Sequence, residues 1–239
     1  MLLLNESPGK PEDLPHEALR ASLEAHVQAR GFPCVGAKSA LSTGRLKIAT
    51  AWQLTSAWND VAIHDALLGW SRDYAADREG LRSFAVVFSG PLDLDEHAFE
   101  RAMWERLQSF AAKDGWRGQH YAPQVSSDPA DPHFSLSFGG EAYFIVGMHP
   151  NASRPARRTP YPTLVFNLHD QFERLRERQR YERMREAILT RDRDLAGSIN
   201  PMLARHGESS EARQYSGRAV GDDWRCPFSD PRSKEAGAP

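Results

Sequence analysis

The chain has 239 residues, 40% of them hydrophobic and 26% charged, with six Trp and eleven Phe; this is an ordinary globular composition, sufficient for one large domain that folds without disulfides or metal. Lys and Arg total 30 against 32 Asp and Glu, a formal charge of −2, so there is no global basic field to attract nucleic acid or an anionic membrane. No apolar run approaches the ~20 residues of a bilayer span, residues 1–6 lack the features of a secretion signal, and Cys34 and Cys226 lie far apart in sequence, so a reduced, cytoplasmic protein is expected.

Residues 1–10 read as a frayed terminus, 11–228 as a single domain and 229–239 as a disordered tail. A helix begins near Pro11, with Leu19, Leu23 and Val27 spaced by four on one face, and ends at Gly31; Phe32-Pro33-Cys34 follows as extended chain. Residues 46–52 read as a strand, 60–70 as a helix and 83–88 as a buried strand stopped at Gly90-Pro91. Asp93 or Asp95 then caps a helix carrying Phe99, Met103, Leu107 and Phe110 at helical spacing. Pro123, Pro129 and Pro132 make 116–132 a loop. Phe134, Leu136 and Phe138 alternate with serine, the pattern of a strand with one buried face. Gly139-Gly140 is a turn, and AYFIVGM at 142–148 is apolar on both faces, as an interior strand is. TLVFNL at 163–168 is a second buried strand, ended by His169-Asp170. One charged helix is expected from Gln171 to about Leu195, its charges mostly a solvated face laced with i,i+4 pairs. The fold class is α+β: a mainly antiparallel sheet whose central strands lie near 134–148 and 163–168, with helices packed on it.

Generic nucleotide, hydrolase and zinc signatures are missing: there is no GxGxxG, phosphate loop, GxSxG, HExxH or paired CxxC. What remain are polar residues at the ends of buried strands. His149 and His169 each close such a strand, where a rigid edge holds a ligand-contacting group in position, and neutral imidazole is a common iron ligand. Each histidine alone also reads as a hydrogen-bonded structural residue. Arg154, Arg157 and Arg158 follow His149 in a proline-broken loop suited to bidentate capture of carboxylate. Porphyrin carries two propionates, so this combination makes chemical sense as a heme pocket, against the plainer reading of solvated or acid-paired arginines. Cys34 precedes the small residues Gly36 and Ala37; it reads either as a thiolate ligand of heme iron or as a small buried hydrophobe. In HGESSEARQYSGR at 206–218, Glu208, Glu211 and the Tyr215 phenol suit a cationic substrate, and the alternative is a helix start.

Five strings, FPCVGAKSAL (32–41), FSLSFGGEAYFIVGMHPNASRPARR (134–158), VFNLHDQFERLR (165–176), RDRDLAGSINPML (191–203) and HGESSEARQYSGR (206–218), together resemble the YqcI/YcgG family, and within it the branch of the heme-dependent N-hydroxylase of guanitoxin biosynthesis. The resemblance covers roughly residues 15–228. It implies a heme b enzyme that uses O2 and external electrons, from a donor such as a ferredoxin or a flavin reductase, to hydroxylate a nitrogen of a small guanidino or amino substrate. The iron ligand is not carried over. Among His149, His169 and Cys34, strand-end rigidity and the neighbouring arginines favour His149, with Arg154, Arg157 and Arg158 on the propionates and His169 on the distal side. A cationic substrate needs carboxylate, and Glu141, Glu208 and Glu211 are the candidates, Glu141 because it follows Gly139-Gly140 directly before a buried strand. Two other readings use the same residues: a heme sensor or carrier without turnover, and a non-heme Fe(II) oxygenase in which His149 and His169 join a carboxylate. Nucleic-acid and membrane partners are not expected, and homodimerisation is left open.

Overall fold

Runs such as SFAVVF and TLVFNL offer no polar face to water, so a sheet built from them has to be covered on both sides. The structure, a computed structural model describing residues 10–202, 204 and 207–232, meets that demand with three layers. Five strands, β1 (Leu46–Gln53), β2 (Ser83–Gly90), β3 (Leu136–Phe138), β4 (Glu141–Met148) and β5 (Thr163–Leu168), form one sheet in the order β1-β2-β5-β4-β3. The class is α+β and the sheet mostly antiparallel, as the sequence reads. One pair, β1 with β2, is parallel; parallel neighbours need a crossover, and α3 (Asp60–Ala76) supplies it.

One face of the sheet is covered by α3 and α4 (Glu96–Trp116), where Phe84, Phe88 and Phe166 meet Leu67, Phe99 and Phe110 in the larger core. Asp95 caps α4, its Oδ1 accepting the Ala98 N–H at 2.7 Å. The other face carries α1 (His16–Gln28), whose Leu19, Leu23 and Val27 pack on Ile48, Ala85, Val87 and Met148. Beside α1 in that layer lie α2 (Val35–Ser42) and α6 (Tyr181–Ala196), in contact with each other.

Several local expectations change. Phe32-Pro33-Cys34 is non-helical as expected, and residues 35–42, for which the sequence reading names no element, form α2 with Cys34 as its N-cap through sulfur. The single helix expected over 171–195 is two, α5 (His169–Glu177) and α6; Gln179 between them is left-handed at φ 54°, with no Gly or Pro to mark the break. Residues 134–138 have no wet face: Ser135 and Ser137 are buried too, Ser135 Oγ donating to Glu211 and Ser137 Oγ accepting the Ala122 N–H. This segment forms the edge of the sheet rather than its centre. The preceding loop shields it, with the Tyr121 hydroxyl donating to the Ser135 carbonyl at 2.6 Å. The packed chain also runs past 228. Asp230 is buried, and Arg232 donates to Asp114 at 2.7 Å and to the Ser137 carbonyl at 3.0 Å. Residues 1–9 and 233–239 lie outside the described residues. Among the described residues no helix is long and apolar enough to cross a membrane.

Gly147 marks the tightest approach onto β4. A side-chain carbon there would meet Phe99 at 2.8 Å, the Tyr215 carbonyl at 3.0 Å and the Met103 sulfur at 3.1 Å. Gly147→Ala is expected to lower the unfolding free energy by about 1–3 kcal/mol through overpacking, measured by urea denaturation. A change under about 0.5 kcal/mol would show that α4 yields at little cost.

Candidate active site

The second layer does not close completely over the sheet. A cavity of about 220 Å³ remains between α2, α5 and α6 on one side and β2, β4 and β5 on the other. Its walls are mostly apolar: Phe144 and Val146 from β4, Phe172 from α5, and Met184 and Ile188 from α6. Into this space three chemically capable side chains are delivered from distant parts of the chain.

Cys34 is the first. Phe32 and Pro33 are buried and anchor the entry to α2, which sets the sulfur at the helix N-terminus, where Sγ accepts the Ala37 N–H at 3.4 Å. Gly36 leaves room beside it, since a side-chain carbon there would lie 3.8 Å from Sγ. Burial pushes the Cys34 thiol pKa up, while the N–H groups of Ala37 and Gly36 and the Arg157 cation draw it down.

His169 is the second. β5 runs directly into α5, and His169 occupies the junction, 5% exposed. Its Nε2 stands 3.5 Å from Glu211 Oε1 and its Nδ1 3.9 Å from Glu173 Oε1. Glu211, the third, is also 5% exposed and immediately precedes the short helix α7 (Ala212–Tyr215). Ser135 Oγ donates to its Oε2 at 2.6 Å, and the Tyr215 hydroxyl lies 3.5 Å from the same oxygen. Tyr215 itself is enclosed, accepting the Leu136 N–H at 3.4 Å and donating to the Tyr143 carbonyl at 3.2 Å. Burial, and then the Glu211 charge, hold its phenol well above the ordinary value, so it stays protonated. A buried carboxylate and an imidazole facing an apolar space form a unit able to hold a cation and to carry a proton.

The remaining sequence candidates do not line the cavity. His149 is buried with its ring stacked on Phe99, centroids 4.3 Å apart and planes at 15°. Its Nδ1 has no hydrogen-bond partner among the described residues, and burial pulls its pKa below the ordinary 6.5. The arginine loop is committed to the protein itself, which corrects the reading of Arg154, Arg157 and Arg158 as anion-gripping forks. Arg157 donates to the carbonyls of Gly147, Gln214 and Tyr215 at 2.9 to 3.2 Å, and desolvation brings its pKa down to about 10. Arg154 pairs with buried Asp192 at 2.6 Å and donates to the Ser198 carbonyl at 2.8 Å. Arg158 donates to the carbonyls of Ala152 and Ser153. Glu141 pairs with Arg78 at 2.9 Å, and Arg78 also holds Asp170. Glu208 is exposed. Among the described residues no three His, Cys, Asp or Glu side chains stand as a metal-holding group, so a pairing of His149 and His169 with a carboxylate is not assembled.

Sequence reasoning missed the α6 wall. Tyr181, Met184, Arg185, Ile188 and Leu189 all face the cavity, at the i, i+3, i+4, i+7, i+8 spacing of a buried stripe. That spacing was visible, but the surrounding charge gave the segment the look of a solvated helix.

The structure is thus a one-domain, three-layer α+β fold with a mostly apolar cavity lined by thiol, imidazole and carboxylate. The model of the YqcI/YcgG family matches residues 23–229, and the chain belongs to that family. No curated protein and no solved structure matches it.

The buried His149 makes stability depend on pH. Its folded-state pKa lies below the unfolded value of 6.5, so as pH falls the unfolded chain takes up the proton first. The contribution of neutral His149 is therefore complete above about pH 6.5 and drains away below it. In thermal melts from about pH 7.5 to about pH 5, the wild-type Tm is expected to fall further than that of His149→Phe, which keeps the stack on Phe99 without a titrating nitrogen. Parallel profiles would contradict this.

Proposed function

We propose that this protein is a heme-dependent oxygenase that hydroxylates a nitrogen of a small cationic guanidino or amino compound, with O2 and with electrons from a donor such as a ferredoxin or a flavin reductase. The observation that carries this reading is that Cys34 and His169 face one mostly apolar cavity with Glu211 beside them. The likeness of five sequence blocks to the heme N-hydroxylase branch of the family supports it. A reducing cytoplasm, where Cys34 remains a thiol, belongs to the same reading.

The donor set fits heme. Cys34 offers a sulfur ligand of the kind used by oxygen-activating heme enzymes, Phe144, Val146, Met184 and Ile188 offer apolar walls, and Arg82, Arg176 and Arg185 add cations to the lining for propionates. The volume of about 220 Å³ is below the ~300–1,000 Å³ usual for ligand sites, so heme would need more room than the cavity shows. Cys34 is the better iron ligand. Its sulfur lines the cavity at a helix N-terminus and accepts the Ala37 N–H, and although burial holds the free thiol protonated, coordination to iron would release that proton, whereas His169 is already held between Glu173 and Glu211. When bound, heme iron supplies the activation of O2 that nitrogen hydroxylation requires. The chain's own residues do the rest. The apolar walls exclude water, the Glu211 carboxylate attracts the cationic group of the substrate, and His169 holds or passes a proton at Nε2.

Hemin added to the apo protein is expected to build a Soret band in the wild type and in His149→Ala. The ferrous CO complex should show the red-displaced band of thiolate ligation, and Cys34→Ala should lose that band. Incubation with reductant, O2 and guanidino compounds should add one oxygen to the product mass. A wild type that stays colourless overturns the heme reading. An unaltered spectrum in Cys34→Ala moves the ligand elsewhere, and a band lost only in His149→Ala removes the cavity as the heme site.

A further inference from the structure

We propose that Arg185, on α6, is the carboxylate-binding residue of the cavity, the role that the 154–158 loop does not fill. The inference rests on the cavity being the ligand site of the proposed function. Three guanidinium groups line it: Arg82, Arg176 and Arg185. Arg82 is paired with Asp77. Arg176 is paired with Glu173 and lies 4.3 Å over the Tyr181 ring. Arg185 differs from both. It is half-buried, shares its helix face with Met184, Ile188 and Leu189, and has no ion pair or hydrogen bond among the described residues.

A partly desolvated guanidinium beside apolar walls loses hydration without a compensating anion, and a ligand that brings one recovers that loss. The planar fork of arginine matches a carboxylate through two parallel N–H bonds, which gives orientation as well as attraction. The cavity also presents Glu211, already engaged by Ser135 and standing 3.5 Å from His169. The lining therefore offers a cation to an acid and a carboxylate to a base, and its ligands carry a carboxylate on an apolar or amphoteric body. That carboxylate has two sources, a heme propionate or the substrate's own acid group.

A heme-independent probe tests the chemistry. Calorimetric titration of the apo chain with octanoate and with octanol compares wild type, Arg185→Gln and Arg185→Lys. Octanoate is expected to bind the wild type, to weaken about tenfold or more in Arg185→Gln and to recover in part in Arg185→Lys, while octanol binds all three alike. Octanoate binding that is absent in the wild type, or equal in wild type and Arg185→Gln, overturns the proposal. The source is read from two further titrations. If Arg185 holds a propionate, Arg185→Gln weakens hemin but not hemin dimethyl ester. If it holds substrate, hemin affinity is unchanged and arginine weakens while agmatine, which lacks the carboxylate, does not. A wild type that binds octanoate but no hemin removes the heme reading and leaves the carboxylate site standing.

Discussion

Three central strands with no face to spare for water constrain the whole molecule, and the two faces receive unequal cover. α3 and α4 fill their side with aromatic and aliphatic side chains, leaving Phe84, Phe88, Phe99, Phe110 and Phe166 almost wholly enclosed. On the other side α1 packs tightly over β1 and β2, but α2 and α6 meet above β4 and β5 without filling the space beneath them. The cavity follows from that shortfall. Its chemistry follows from where the chain happens to turn at its rim: Cys34 caps α2, His169 joins β5 to α5, and Glu211 leads into α7.

Charged groups that stabilise the fold are distinguished from those available to a ligand by what surrounds them. Asp114 is fully buried and satisfied four ways, by His64 Nε2 at 2.8 Å, by the Gly139 N–H through both carboxylate oxygens, and by Arg232. This set ties α3, α4, the β3–β4 turn and the chain near 232 into one unit around a carboxylate that solvent does not reach. Arg157 is similar, surrounded by three carbonyls and holding α7 to β4. Breaking such groups would leave buried charge unpaired, so they read as structural. Cys34, His169, Glu211 and Arg185 instead adjoin open volume with apolar walls, where a ligand changes their environment.

Much of the architecture was legible. Continuous apolar runs identified β2, β4 and β5, spacing by four identified the buried face of α1, and the Asp93–Asp95 pair announced α4, with Asp95 the cap that forms, because burial on both faces, helical periodicity and capping are local patterns. What was not legible depended on distant partners. The buried Ser135 and Ser137 look wet until Glu211 and Ala122 supply their bonds. The α5–α6 break has no Gly or Pro and is carried by Gln179 alone. At the site, residue chemistry singled out Cys34, His169 and Glu211 as candidates, and the structure brings these three to one cavity. It could not distinguish the spent arginines of 154–158 from Arg185, since the decisive partners Asp192 and the Gln214 and Tyr215 carbonyls lie far away in sequence and the nearer carbonyls of Gly147, Ala152 and Ser153 carry no sequence signal.

The central proposal, that the space under α2 and α6 is where heme would bind, is tested most directly by hydrogen–deuterium exchange of the apo protein with and without hemin. The account predicts slowed exchange in α2, in β5 and its junction with α5, and along α6, with the 149–158 loop unchanged. Protection confined to 149–158, with α2 and α6 exchanging as before, would contradict it.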